Sequence, residues 1–208
     1  MSDFSTYRNL KLAEALFKKS RSYKFEKVDS LIMRKISLFI AMSLDGYIAD
    51  NKGGVNWLKG QDENDNTNKS YSEFIEKIDT IIMGWNTYHQ FVTELSPDFW
   101  PYENQITYVM THREEASSEK IRFINEDLNE LVIKLKKEKG KNIWICGGAN
   151  VVQQLMDEDL IDVYNVTIIP TILGSGVRLF KKGKNEIKLS LVKAKTYNGM
   201  IDAVYTRR

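Results

Sequence analysis

From Met33 onward the apolar positions switch between two rhythms. Lys35-Ile-Ser-Leu-Phe-Ile-Ala-Met42 is a β-rich apolar run and predicts a buried strand. Tyr71, Phe74, Ile75 and Ile78 recur at helical spacing and predict an amphipathic helix. Thr80-Ile-Ile-Met83 predicts a short buried strand ended by Gly84. Ile106-Thr-Tyr-Val-Met110 predicts another, and Ile121-Arg-Phe-Ile124 a weaker one. Leu128, Leu131, Val132 and Leu135 mark a helix with Asp127 as N-cap and Gly140 as stop. Asn142-Ile-Trp-Ile-Cys146 is a strand that runs into Gly147-Gly148, and a helix follows through Val152, Leu155 and Met156. Val163 to Ile169 is a strand stopped by Pro170. Short strands near Val177–Phe180, Ile187–Lys193 and Ala203–Thr206 then follow one another with no helix between them.

Alternating strands and helices imply an α/β fold with a mostly parallel central sheet and right-handed crossovers. The helix-free run at the end implies an antiparallel C-terminal edge. Residues 1–32 differ: they are basic and rich in Ser, Lys and Arg, and Leu10–Phe17 fits a short amphipathic helix. They read as an N-terminal extension, helical or disordered, ahead of one domain over 33–208. Met33 is a plausible second start.

Composition narrows the function. The 30 basic and 28 acidic side chains leave a net charge of +2, which gives no reason to invoke nucleic acid or an anionic membrane as partner. No apolar run approaches the roughly 20 residues of a membrane span. Cys146 is the single cysteine, so no intrachain disulfide forms, and a reduced, cytoplasmic setting is expected. No His and Cys spacing suggests a metal site.

Two glycine sites follow buried strands and open helices: Gly147-Gly148-Ala149, and Gly84-Trp-Asn-Thr87. In an open parallel sheet such places line the crevice at the strand ends. Helix N-termini there offer free N–H groups to phosphate. A glycine lets phosphate approach the backbone with no Cβ in the way. Neither site is a G-x-G-x-x-G or Walker loop, and a strand–Gly-Gly–helix turn also serves tight packing alone.

Five ordered motifs carry a resemblance over roughly Arg34 to Arg207. They are Phe39-Ile-Ala-Met-Ser-Leu-Asp-Gly-Tyr-Ile-Ala49, Met83-Gly-Trp-Asn-Thr-Tyr88, Val109-Met-Thr-His-Arg113, Ile145-Cys-Gly-Gly-Ala149 and Ile169-Pro-Thr-Ile-Leu-Gly-Ser-Gly-Val-Arg-Leu-Phe180. Together they resemble the dihydrofolate reductase superfamily, in its branch of riboflavin-biosynthesis reductases (the RibD C-terminal domain). The resemblance implies a dihydrofolate-reductase-like three-layer α/β/α sandwich, a homodimer, and NADPH as cofactor with NADH possible. It implies hydride transfer to a small heterocyclic, imine or carbonyl substrate, pyrimidine-like or pterin-like. In the riboflavin branch that is a ribose-derived imine or carbonyl on an aminopyrimidine phosphate, the 5-amino-6-(5-phosphoribosylamino)uracil reductase activity. The alternative is a dinucleotide-binding protein of the same fold without turnover.

The resemblance also assigns residues. Ala41 lies beside the nicotinamide. Gly84, Asn86 and Thr87 contact the dinucleotide phosphates, and Thr111, His112 and Arg113 surround the 2′-phosphate. Gly147, Gly148, Ala149 and Asn150 hold the pyrophosphate. Ser43, Gly46, Trp57, Pro170 and Gly174 shape the substrate end, with Leu173 beside them. Asp45 is the catalytic candidate as polar partner of the reaction. Gly53, Gly54 and Trp57 belong to a mobile loop over the cofactor. Two departures stand out. Trp85 replaces the arginine usual after the "M-G" glycine, where it would bind the 2′-phosphate, and Arg113 can compensate through bidentate bonds. The acid that anchors pterin in dihydrofolate reductases has no clean equivalent: Asp62, Glu63 and Asp65 lie in a polar loop, and Glu73 sits between Tyr71 and Phe74. Arg178 and Lys181–Lys182 are candidates for a substrate anion.

Overall fold

Hydrogen-bonded alternation of strand and helix begins at Ile36 in the computed structural model, which describes residues 33–62, 65, 69–183 and 186–208. The N-terminal extension, with its Leu10–Phe17 segment, and Glu63 lie outside the described residues. In chain order the elements are β1 (Ile36–Ser43), β2 (Tyr47–Ala49), α1 (Ser70–Ile75), β3 (Ile78–Gly84) and α2 (Trp85–Gln90). A π-helical turn (Phe91–Leu95) extends α2. Then come β4 (Ile106–Met110), β5 (Ile121–Ile124), α3 (Leu128–Lys137), β6 (Asn142–Gly147), α4 (Ala149–Asp157) and β7 (Val163–Ile169). β8 (Val177–Arg178), β9 (Leu189–Tyr197) and β10 (Met200–Arg207) complete the chain.

Eight strands form one sheet in the order β5-β4-β3-β6-β1-β7-β10-β9. The first six are mutually parallel. β10 pairs antiparallel with β7, and β9 with β10, which makes the antiparallel edge expected from the sequence. β2 and β8 form a separate two-stranded ribbon.

Side chains alternate between the two faces of each strand. On one face Ile36 and Leu38 of β1 join Ile82, Ile143, Ile145 and Val166 beneath α3 and α4, which contribute Leu131, Val132, Leu135, Val152 and Leu155. Each fully buried Leu or Ile there contributes about 1.5–3 kcal/mol by leaving water. On the other face Ile81, Met83, Val109 and Trp144 pack with Phe39, Phe74, Tyr88 and Trp100, beneath α1 and α2. The result is a three-layer sandwich. Asp127 caps α3 through bonds from the Asn129 and Glu130 N–H groups at 2.8 and 3.0 Å, as the sequence implied.

Several expectations change. Ile78 does not extend α1: it opens β3, where the β-branched Ile78, Thr80, Ile81 and Ile82 outweigh one helical match. α3 ends at Lys137, before Gly140, and Glu138 is already extended. Gly140 serves packing instead, since a Cβ there would sit 2.6 Å from Asp79 Oδ2. The strand expected near Val177–Phe180 is only two residues long. The strand expected near Ile187–Lys193 begins at Leu189 and runs on to Tyr197, where an Asn198-Gly199 turn with φ +46° and +75° closes a hairpin.

Candidate functional site

Because β1, β3, β4, β6 and β7 are parallel, their carboxyl ends open on one edge of the sheet. Ser43, Gly84, Met110, Gly147 and Ile169 end those strands side by side. In open α/β sheets ligands bind in the crevice at this edge.

The two glycine sites meet there. Gly84 is the N-cap of α2 and Gly148 of α4, and neither helix has a side-chain cap, so their first N–H groups are free of one. A Cβ on Gly84 would lie 3.4 Å from Val151 Cγ2 and 3.9 Å from the Gly148 nitrogen. A Cβ on Gly148 would lie 3.4 Å from Thr87 Oγ1. Gly147 has φ +130°, a conformation L side chains rarely adopt, and the Gly147–Gly148 peptide is cis. Ala149 is buried and Asn150 exposed on the first turn of α4. Lys181 Nζ donates to Asn150 Oδ1 at 2.7 Å and sets a positive charge at that turn. Asn86 is exposed at the first turn of α2. An anionic group fits this cradle: it is glycine-lined, rich in N–H donors and beside a cation.

At the end of β4, Thr111 is buried, and its Oγ1 accepts the Arg113 N–H at 3.0 Å. His112 and Arg113 are exposed. His112 Nδ1 and Asn125 Oδ1 are 2.5 Å apart. The Arg113 guanidinium lies over the Trp85 ring, 4.8 Å from its centroid. Trp85 in turn packs against Tyr88, His89 and Phe123. The indole at the position of the family's arginine therefore carries a different arginine on its face.

Around the end of β1 the groups are tied differently. Ser43 Oγ is buried and donates to Asp45 Oδ1 at 2.6 Å, while accepting the Tyr47 N–H at 2.9 Å. Leu173 N–H donates to Asp45 Oδ1 at 3.1 Å and Gly174 N–H to Oδ2 at 2.7 Å. The Ser43 hydroxyl leads these donors in holding the Asp45 carboxyl below the ordinary aspartate range. Asp45 thus stitches the loop after β1 to the loop after β7. The same two loops share a Leu44 N–H to Thr171 O bond at 2.8 Å, one residue past the exposed Pro170. Gly46 turns with φ +87°, and its carbonyl accepts from Leu179 at 3.0 Å. Arg178 lies over the Tyr47 ring, 4.6 Å from its centroid. Trp57 Nε1 donates to Gly54 O at 3.2 Å, and Gln90 Nε2 fixes Gly53 O at 3.0 Å, which ties this loop to α2.

Ala41 pairs in register with Thr167 of β7, and Thr167 with Asp202 of β10. Thr167 and Asp202 escaped the sequence reading. Only the strand register brings them beside Ala41, and no local motif signals it. Among the described residues no group of His, Cys, Asp and Glu is arranged to hold a metal ion. No helix among them is long and apolar enough to cross a membrane.

The family model of the RibD C-terminal domain matches residues 34–201. The uncharacterized protein YwjB of Bacillus subtilis (strain 168) is 43% identical over 84% of the chain and 98% of its own length. A Shewanella sp. PV-4 crystal structure named for riboflavin biosynthesis is 28% identical, with TM-score 0.73, covering 84% of this chain and 99% of that one. Dihydrofolate reductase from Enterococcus faecalis, complexed with NADP(H), is 16% identical with TM-score 0.58, covering 84% and 96%, a likeness of fold.

Proposed function

The chain belongs to the RibD C-terminal domain family, and on that premise we propose that it is an NAD(P)H-dependent reductase of a small pyrimidine-like heterocycle, imine or carbonyl compound. One observation carries the reading: Gly84 and Gly148 face each other at two helix N-termini, with Thr87 Oγ1 against the second. Side chains at either glycine would fill the space a pyrophosphate needs. The riboflavin-type resemblance and the NADP(H) complex of the dihydrofolate reductase relative support the cofactor class.

When bound, the nicotinamide supplies a hydride to an electrophilic carbon of the substrate. The chain's own work is holding and orienting. Gly147, Gly148, Ala149 and Asn150 take the pyrophosphate, with Gly84, Asn86 and Thr87 opposite. Arg113, with Thr111 and His112, takes the 2′-phosphate, and its fork geometry suits a bidentate contact. Ala41, a small residue near the end of β1, would lie beside the nicotinamide. The sequence made Asp45 the polar partner of the reaction. As an ionised acceptor of three hydrogen bonds it has no proton to give, so we assign it positioning of the Ser43, Gly46 and Gly174 loops. The proton that accompanies the hydride would come from solvent. Trp57 and Pro170 border the substrate end.

The reading includes a homodimer through the late strands, because Leu191 and Val192 stand exposed on the edge strand β9. A monomer by light scattering at micromolar concentration counts against that part. The central test is a titration with NADPH and NADH, followed by tryptophan fluorescence. Micromolar binding that Gly148→Asp abolishes supports the reductase. No binding at about millimolar, near −4 kcal/mol, removes it. A second reading, dinucleotide binding without turnover, draws on the absence of a protonated acid at Asp45. Cofactor binding with no oxidation across a panel of aminopyrimidine and carbonyl compounds favours it.

A further inference from the structure

The turn between β9 and β10 does more than reverse the chain. Asn198 and Gly199 have φ +46° and +75° between the paired Tyr197 and Met200, as a two-residue hairpin turn requires. The Asn198 side-chain amide meets the main chain of Asp62, in the loop ahead of α1, at both of its polar atoms. Oδ1 accepts the Asp62 N–H at 2.6 Å, and Nδ2 donates to Asp62 O at 2.7 Å. The Asn198 carbonyl accepts the Gln61 N–H at 3.1 Å. Two glycines permit so close an approach. A Cβ on Gly60 would overlap the Asn198 amide, and one on Gly199 would lie 2.5 Å from Gln61 Cδ.

Asn198 is also the only asparagine of the chain followed by glycine. Such a pair carries its own reaction. The Gly199 nitrogen attacks Asn198 Cγ, a five-membered imide ring closes, and the Cγ–Nδ2 bond breaks. Ammonia leaves with the proton that the Gly199 N–H gives up. Water then opens the ring at either carbonyl and leaves aspartate or isoaspartate at position 198. No oxidant or reductant takes part. Glycine favours the attack because no Cβ crowds its nitrogen and its backbone turns freely.

Docking of the loop opposes this reaction. Ring closure needs Cγ and the Gly199 nitrogen in one planar ring, a main-chain setting outside the left-handed turn. Reaching it draws the amide off Asp62 and breaks both of its bonds there. Neither product rebuilds the pair. A carboxylate has no donor for Asp62 O and sets a negative charge against that carbonyl. Isoaspartate adds a methylene to the main chain of a two-residue turn.

We propose that Asn198 is a deamidation site held silent by the docked loop, and that its conversion releases the loop carrying Trp57 in one direction only. The chemistry needs no cofactor and stands apart from the reductase reading.

The full native chain and a guanidinium-unfolded sample are held at pH 8, and peptide mass maps follow the amide-to-acid conversion. The unfolded chain is expected to convert at Asn198 ahead of its other asparagines. The native chain is expected to convert there at least about tenfold more slowly, because opening must come first. Equal rates in the two states overturn the proposal and need no variant to fold. Gly60→Ala, its fold checked by circular dichroism, is expected to bring the native rate toward the unfolded one. An unaltered rate in the folded variant overturns the gating by the loop. Hydrogen exchange at the Gln61 and Asp62 N–H groups is compared between wild type and Asn198→Asp. Exchange about tenfold faster in the variant is expected, and unchanged exchange overturns the release.

Discussion

The guanidinium of Arg113 rests on the indole of Trp85, 4.8 Å from the ring centroid. The ring fixes the plane of an otherwise mobile side chain, and the Arg113 N–H to Thr111 Oγ1 bond fixes its backbone. Arg113→Ala is expected to weaken NADPH about ten- to a hundredfold and NADH little, since a charged hydrogen-bond set to phosphate is worth roughly 1.5–3 kcal/mol. Arg113→Lys recovers charge but not the fork, so it restores only part. Fluorescence titration of both cofactors decides this. Equal losses for NADPH and NADH would place Arg113 away from the 2′-phosphate.

The glycine cradle makes a sharper prediction. Gly147→Ala must adopt φ +130° with a side chain, so it costs folding stability as well as cofactor. Gly148→Ala has ordinary backbone angles, and its Cβ meets Thr87 Oγ1 at 3.4 Å. It is expected to fold with a melting temperature close to wild type and to lose most cofactor affinity. Thermal melts with and without NADPH separate the two. A Gly148→Ala protein that keeps the wild-type NADPH-induced rise in melting temperature places the pyrophosphate elsewhere.

What the sequence showed of this site was what lies close together in the chain. Strand–glycine–helix junctions at Gly84 and Gly147, and the turn at Asp45-Gly46, are local events with local signals. The Asp127 cap belongs with them. The row Ala41, Thr167, Asp202 is different: it depends on the register of three strands from distant parts of the chain. Asp45 was legible as a turn residue. Its bonds to Leu173 and Gly174 span more than a hundred positions. The Asn198-Gly199 hairpin was not singled out in the sequence, which placed only short strands on either side of it. Asn198 also binds across to the loop before α1, accepting the Asp62 N–H at 2.6 Å, and nothing local foretells that contact.

Cys146 sits half-buried on β6 beside the cradle, and its thiol bonds with Tyr102. Burial pushes the thiol up to about 12, against the opposing effect of that bond. At pH 8 the native thiol is therefore protonated and inert toward alkylation. Iodoacetamide is expected to leave the folded chain unmodified over a time in which the urea-unfolded chain reacts fully, as read by intact mass. The sign for stability follows from linkage. The raised thiol favours the folded state fully below its unfolded value of about 8.5, and the contribution fades as pH rises from there toward 12. Rapid native alkylation at pH 8 would contradict the buried placement.

Asp45 joins two loops by accepting from Ser43, Leu173 and Gly174, and these donors hold its carboxyl below the ordinary range. A depressed carboxyl stabilises the folded state above its unfolded value of about 4. That contribution is lost as pH falls below 4 and the carboxylate takes a proton. Asp45→Asn places an amide where an ionised acceptor stood, so one oxygen's worth of N–H donors loses its partner. The variant is expected to melt below wild type at pH 7, with the gap narrowing steadily as pH falls through 4 toward 3. Melts across that range on both proteins test it directly. A gap that stays constant with pH would mean that the charge of Asp45 contributes nothing and that only its shape holds the two loops together.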